Sequence, residues 1–136
     1  MNNMHDFKVV LLGIIFDPKN KKILIGRREK DPHVSELKWT PPGGRANSGE
    51  DLENSLKNKI KEQTGLKVEN LGNIFAMIPK EKENFVLLLY LCEVISGKEK
   101  AGGNLKEIKW VKPEELDNYF TIAYHPHLRE YILNLR

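Results

Sequence analysis

Two clusters of residues in this chain of 136 residues have the types needed for chemistry on phosphates. Arg27 and Arg28 close an apolar segment, and the pair Gly43-Gly44 follows them within a proline- and glycine-containing stretch. A guanidinium presents a planar fork that matches phosphate oxygens, and glycines let an anion come close to backbone donors. Arg28 with the glycine loop is therefore a candidate phosphate contact. The second cluster is acidic: Glu50, Asp51, Glu53 and Glu62, with Glu81, Glu83 and Glu107 further on. Carboxylates suit a hard cation such as Mg²⁺, which takes oxygen ligands, polarises phosphoryl oxygens and lowers the pKa of an attacking water. Acidic residues at a helix start also have an ordinary role, since they complement the helix dipole.

The elements that must position these groups follow from periodicity. Phe7 to Asp17 and Ile23 to Arg28 read as strands joined through the turn Asp17-Pro18-Lys19-Asn20, a hairpin. Glu29 to Asn47 contains Asp31-Pro32, Pro41-Pro42 and Gly43-Gly44 and reads as a long loop, a place where function concentrates. Leu52, Leu56 and Ile60 recur at four-residue steps, which predicts a helix with Ser48 as N-cap and Gly65 as its stop. Leu66 to Ile78 and Phe85 to Ile95 form an expected antiparallel pair across a charged turn, and Ser96 to Asn104 reads as a flexible segment. A strand over Lys106 to Val111, a helical turn from Pro113 and a helix over Leu128 to Leu135 complete the chain. Strands mixed with a central amphipathic helix predict α/β layers around a mixed or antiparallel sheet, in a single domain over residues 1–136.

Composition narrows the function classes. With 40% hydrophobic and 30% charged residues the chain is of globular type. A net charge of +3 is too small to indicate a nucleic-acid partner, and Lys57, Lys59, Lys61 and Lys67 do not share one helical face. The apolar run Val9 to Phe16 is too short to span a membrane, so a cytoplasmic protein without a membrane partner is expected. Cys92, the single cysteine, reads as buried and inert. Trp39 and Trp110 read as packing residues, and His125-Pro-His127 as a helix entry rather than a metal pair. His5 and His33 have no informative context.

Gly44, then five residues, Glu50, then seven residues, then Asn58-Lys-Ile60-Lys-Glu62-Gln-Thr-Gly65-Leu66 resembles the Nudix box of the MutT-related pyrophosphohydrolases. That box reads Gly-x5-Glu-x7-Arg-Glu-U-x-Glu-Glu-x-Gly-U, with U aliphatic. Gly44, Glu50, Ile60, Glu62, Gly65 and Leu66 match. The segment Ile23 to Arg28, Trp39 before Pro42-Gly43-Gly44, and Glu107 to Leu116 extend the likeness over nearly the whole chain. The resemblance implies a Nudix fold, an α/β/α sandwich with a mixed sheet, and hydrolysis of a nucleoside diphosphate linked to another group. It also implies Mg²⁺ or Mn²⁺ as cofactor and a nucleotide or other phosphate-containing small molecule as partner. A homodimer is compatible with this reading.

The same resemblance assigns roles. Glu62, helped by Glu50, is the expected catalytic carboxylate; Glu62 and the Gly43 carbonyl are the expected metal ligands; Arg28, Gly43, Gly44 and Glu107 are the expected substrate contacts. The departures fall where the box places three metal-binding glutamates, at positions occupied by Lys59, Glu62 and Gln63. Their spacing puts all three on one helical face, and the formal charge of the trio falls from −3 to 0. Asn58 stands where the box has an arginine that orients a glutamate. Either metal-dependent hydrolysis is weak or lost and the fold is kept for binding, or other carboxylates have taken over. Ligand identity favours the first, because a metal site needs ligand number and geometry together.

Overall fold

The computed structural model describes residues 7–28, 39–78, 84–119 and 126–135. Its elements are β1 (Lys8–Asp17), β2 (Lys22–Arg28), β3 (Trp39–Thr40), β4 (Gly43–Arg45), α1 (Leu52–Thr64), β5 (Leu66–Met77), β6 (Phe85–Gly97), β7 (Leu105–Val111), a 3₁₀ turn (Pro113–Asn118) and α2 (Pro126–Leu133). Glu81, Glu83, His5, His33, His125 and most of the loop after Arg28 lie outside the described residues.

The seven strands form one mixed sheet. β1 and β2 make the expected hairpin, with Ile15 opposite Leu24. Asp17 nucleates its turn: the carboxylate accepts from the Lys19 N–H at 2.9 Å and from Asn20 Nδ2 at 2.9 Å. β5 and β6 are antiparallel as expected, whereas β6 runs parallel to β1. β7 adds to β2 with a bulge beside Arg27 and Arg28.

Alternation along each strand sends side chains to two faces. Leu11, Ile15, Leu24, Val68, Tyr90 and Cys92 pack with Leu56 and Ile60 of α1. Ile14, Ile23, Ile25, Leu89 and Val111 pack with Leu116 of the 3₁₀ turn and with Leu128 and Ile132 of α2. The sandwich expected from the sequence is thus present, helix on each face of the sheet. Among the described residues no helix is long and apolar enough to cross a membrane. Cys92 is fully buried, and desolvation pushes its thiol up to about 12, which suits inert packing.

Three expectations change. The N-cap of α1 is Asp51, not Ser48: its carboxylate accepts from the Glu53 N–H at 3.2 Å. The cap sits later because Glu50 folds back on the Asn47 N–H at 2.8 Å and so closes a turn ahead of the helix. Within the stretch read as loop, β3 and β4 are short strands paired with β2 and β1. The segment read as flexible is instead bonded to the end of α1. Its Lys100 and Gly102 N–H groups donate to the Thr64 and Gln63 carbonyls at 2.8 and 2.9 Å, satisfying carbonyls that a helix end leaves open.

Candidate functional site

α1 ends against β4, and the joint is a side-chain amide. Gln63, buried in the last turn, accepts from the Gly43 N–H through Oε1 at 2.9 Å and donates from Nε2 to the Gly43 carbonyl at 2.8 Å. Nε2 also donates to Asn104 Oδ1 at 2.9 Å. The orientation of the amide is dictated by its partners, since the Gly43 N–H requires an acceptor and its carbonyl a donor. Both amide hydrogens and the amide oxygen of Gln63 are therefore engaged. A glutamate in this place would keep the bond from the Gly43 N–H but could donate to neither the Gly43 carbonyl nor Asn104.

Gly43 itself has no substitute. Its φ is +148°, and a Cβ there would lie 1.9 Å from the Leu11 carbonyl oxygen. Beside it, the space a Gly44 side chain would enter is crossed by the stem of Lys59, whose Cδ and Cε pass 3.5 and 3.8 Å from the Cβ position.

These contacts surround a cleft of about 260 Å³. Gly43, Gly44 and Arg45 form one wall, Lys59, Glu62 and Gln63 of α1 a second, and Gly103 with Asn104 a third. The cleft is open to solvent on its outer side, so a bound group can extend beyond it.

Of the residues singled out from the sequence, Gly43, Gly44, Lys59, Glu62 and Gln63 are brought together here. Glu50, Arg28 and Glu107 are not among the lining residues. The Glu50 carboxylate accepts from the Asn47 N–H and from the Ser55 hydroxyl at 3.1 Å. The Asn47 bond, with help from Ser55 and the Lys59 charge, holds its pKa below the usual value against a smaller opposing effect of burial. Arg28 alternates with Arg27, so it shares the face of Leu24 and α1. Its Nε is buried with no hydrogen-bond partner among the described residues.

Glu107 lies opposite Arg27 on β7 and pairs with it at 2.9 Å. The Arg27 guanidinium in turn sits 5.8 Å from the Trp39 ring, which meets Tyr119 edge-on at 5.6 Å. Trp39 packs against the α2-side core and Trp110 against the α1-side core, as packing residues do.

Arg45, Gly103 and Asn104 were not singled out from the sequence. The signal was the pair Gly102-Gly103: a Cβ on Gly102 would stand 2.8 Å from the Glu62 carbonyl oxygen, so the glycines mark a close backbone approach.

A divalent cation held on the helix face would need several oxygen ligands and compensating negative charge. Among the described residues no three His, Cys, Asp or Glu side chains converge as a metal site. The cleft supplies one carboxylate, Glu62, beside the cationic Lys59, and the neutral Gln63 oxygen accepts from the Gly43 N–H. One carboxylate beside an ammonium does not fit a carboxylate-held cation.

Residues 6–134 match the family model described as NUDIX domain. An ADP-ribose pyrophosphatase of Methanocaldococcus jannaschii is 31% identical over 119 residues, 85% of this chain and 66% of that protein. An 8-oxo-dGTP diphosphatase of Buchnera aphidicola is 39% identical over 59 residues, 43% of each chain. The matched regions thus span just under two thirds and less than half of the lengths of these curated relatives. The crystal structure of a NUDIX hydrolase from Nitrosomonas europaea superposes with a TM-score of 0.76 at 21% identity, covering 93% of this chain and 70% of that one. At that identity the likeness is one of fold.

Two outcomes follow from the geometry. Gln63→Leu leaves the Gly43 N–H and carbonyl unpaired at a buried joint and should destabilise the protein by about 1–3 kcal/mol, the cost of an unsatisfied buried group. Urea denaturation checks this, and a loss below about 0.5 kcal/mol, the size typical of a surface change, would deny the joint its role. For Glu50, whose folded pKa is lowered, the stabilising contribution is present above the ordinary value of 4.5 and is lost as pH falls through the depressed value. An NMR titration should place its midpoint below 4.5, and Ser55→Ala should move that midpoint upward. A midpoint unmoved by Ser55→Ala would remove the hydroxyl as a cause.

Proposed function

The chain belongs to the NUDIX domain family, and from that premise we propose that it binds nucleotides through their diphosphate and that metal-dependent hydrolysis by the family's box is weak or lost. The observation that carries this reading is the amide joint. Gln63 engages both of its donors and its acceptor on Gly43 and Asn104, while Lys59 places a cation on the same helix face. The face that would gather a divalent cation is closed by hydrogen bonds on one side and opposed by positive charge on the other. Two unit charges about 4 Å apart at an effective dielectric near 20 interact by about 4 kcal/mol, so a lysine in this position opposes a bound dication strongly.

Phosphate binding is supported by the same residues. The relatives named above are a pyrophosphatase and a diphosphatase, and Lys59 brings a cationic side chain to the cleft beside Gly43 and Gly44. We assign Arg28 to the outer phosphate, since it lies on the α1 face of the sheet with an unpartnered Nε. Gly43 and Gly44 let the ligand approach the loop closely. Glu62 is the residue left to act as base or ligand in any residual turnover, and Glu107 acts through its pair with Arg27 on the other face of the sheet. Both cores close on one seven-stranded sheet, which supports reading residues 1–136 as one domain.

With Mg²⁺ or Mn²⁺ and a panel of ADP-ribose, 8-oxo-dGTP and nucleoside triphosphates, turnover should stay far below about 1 per second, the low end of common enzyme rates. In the same panel at least one nucleotide should raise the melting temperature. Brisk metal-dependent release of products at ordinary enzyme rates would contradict the loss of hydrolysis. An unchanged melting temperature with every nucleotide would contradict binding.

A further inference from the structure

We propose that the cleft between Gly44, Lys59 and Asn104 takes a diphosphate directly, without a divalent cation, the Lys59 ammonium supplying the positive charge that the box would otherwise recruit as metal. This deepens, and rests on, the reading of the chain as a nucleotide-binding domain. Three observations support it.

Lys59 is half-buried and its stem is laid across Gly44, so the ammonium is positioned at the cleft before any ligand arrives. Ordering that long side chain in advance removes part of the entropy cost of binding. Next, Lys59 makes no salt bridge among the described residues, although its charge acts on the nearby Glu50.

The third observation is the Gln63 joint. It spends one lone pair of the neutral Gln63 oxygen on the Gly43 N–H, and by donating to Asn104 Oδ1 it orients that amide so that the two Nδ2 hydrogens remain for a ligand or solvent.

The test is calorimetry of inorganic pyrophosphate with the intact chain in EDTA. Saturable binding is expected in EDTA, and replacing EDTA by Mg²⁺ should not strengthen it. Lys59→Met, which keeps the stem over Gly44, should weaken binding by about tenfold or more, as loss of a charge-assisted contact does. Lys59→Arg should retain it. In the unmodified protein, pyrophosphate in EDTA should also shift the backbone amide resonance of Gly44 and the side-chain amide of Asn104. That mapping decides the matter if Lys59→Met melts early.

Pyrophosphate binding that requires Mg²⁺ overturns the inference and leaves the nucleotide-binding reading in place. The same holds if ADP-ribose binds and pyrophosphate does not, or if folded Lys59→Met binds as the unmodified chain does. Failure of both pyrophosphate and every nucleotide to bind, with and without metal, overturns the inference and that reading together.

Discussion

The cleft depends on two hydrogen bonds, those that tie the side-chain amide of Gln63 to the peptide of Gly43. They join α1 to β4, and β4 is itself paired with β1 at the centre of the sheet. Gly43 lies so close to the Leu11 carbonyl that no side chain fits between them. Asn104 is drawn into the same network, and with it the strap from Lys100 to Asn104 that closes the end of α1. One side chain bridges helix, loop and strap, and the position it occupies is where the box calls for a carboxylate. The joint and a conventional metal site therefore compete for the same atoms.

Electrostatics points the same way. A trio with a formal charge of −3 gathers a dication; the trio present here sums to zero. Strand alternation adds a partition. Arg27 and Arg28 are neighbours in sequence but face opposite layers, so Arg27 is used up against Glu107 and Trp39 while Arg28 remains on the side of α1.

Much of this was legible in the sequence because it is local. The four-residue recurrence of Leu52, Leu56 and Ile60 marked α1, and the i, i+3, i+4 spacing placed Lys59, Glu62 and Gln63 on one face before any coordinates. Alternation and turn residues located the long strands. What escaped depends on partners distant along the chain. Gln63 meets Gly43 from 20 residues away and Asn104 from 41, so its role as a joint could not be read from its neighbours. The short strands β3 and β4 exist through pairing with β2 and β1, not through their own propensity. The segment from Ser96 looked flexible because its glycines suggest freedom, when they in fact permit close backbone contact with α1. Ser48 lost the cap to Asp51 because Glu50 closes a turn of its own.

The most direct test of the central claim, that Gln63 and Lys59 together close the helix face to a dication, is Mn²⁺ binding measured by electron paramagnetic resonance. It should compare the unmodified chain with a variant carrying Asn58→Arg, Lys59→Glu and Gln63→Glu. The unmodified chain should bind Mn²⁺ weakly, and the variant, with three carboxylates rebuilt on one face and the Gly43 carbonyl released, should bind at least about a hundredfold tighter, some 2.7 kcal/mol. Tight Mn²⁺ binding by the unmodified chain, or no gain in a variant that remains folded, would contradict it.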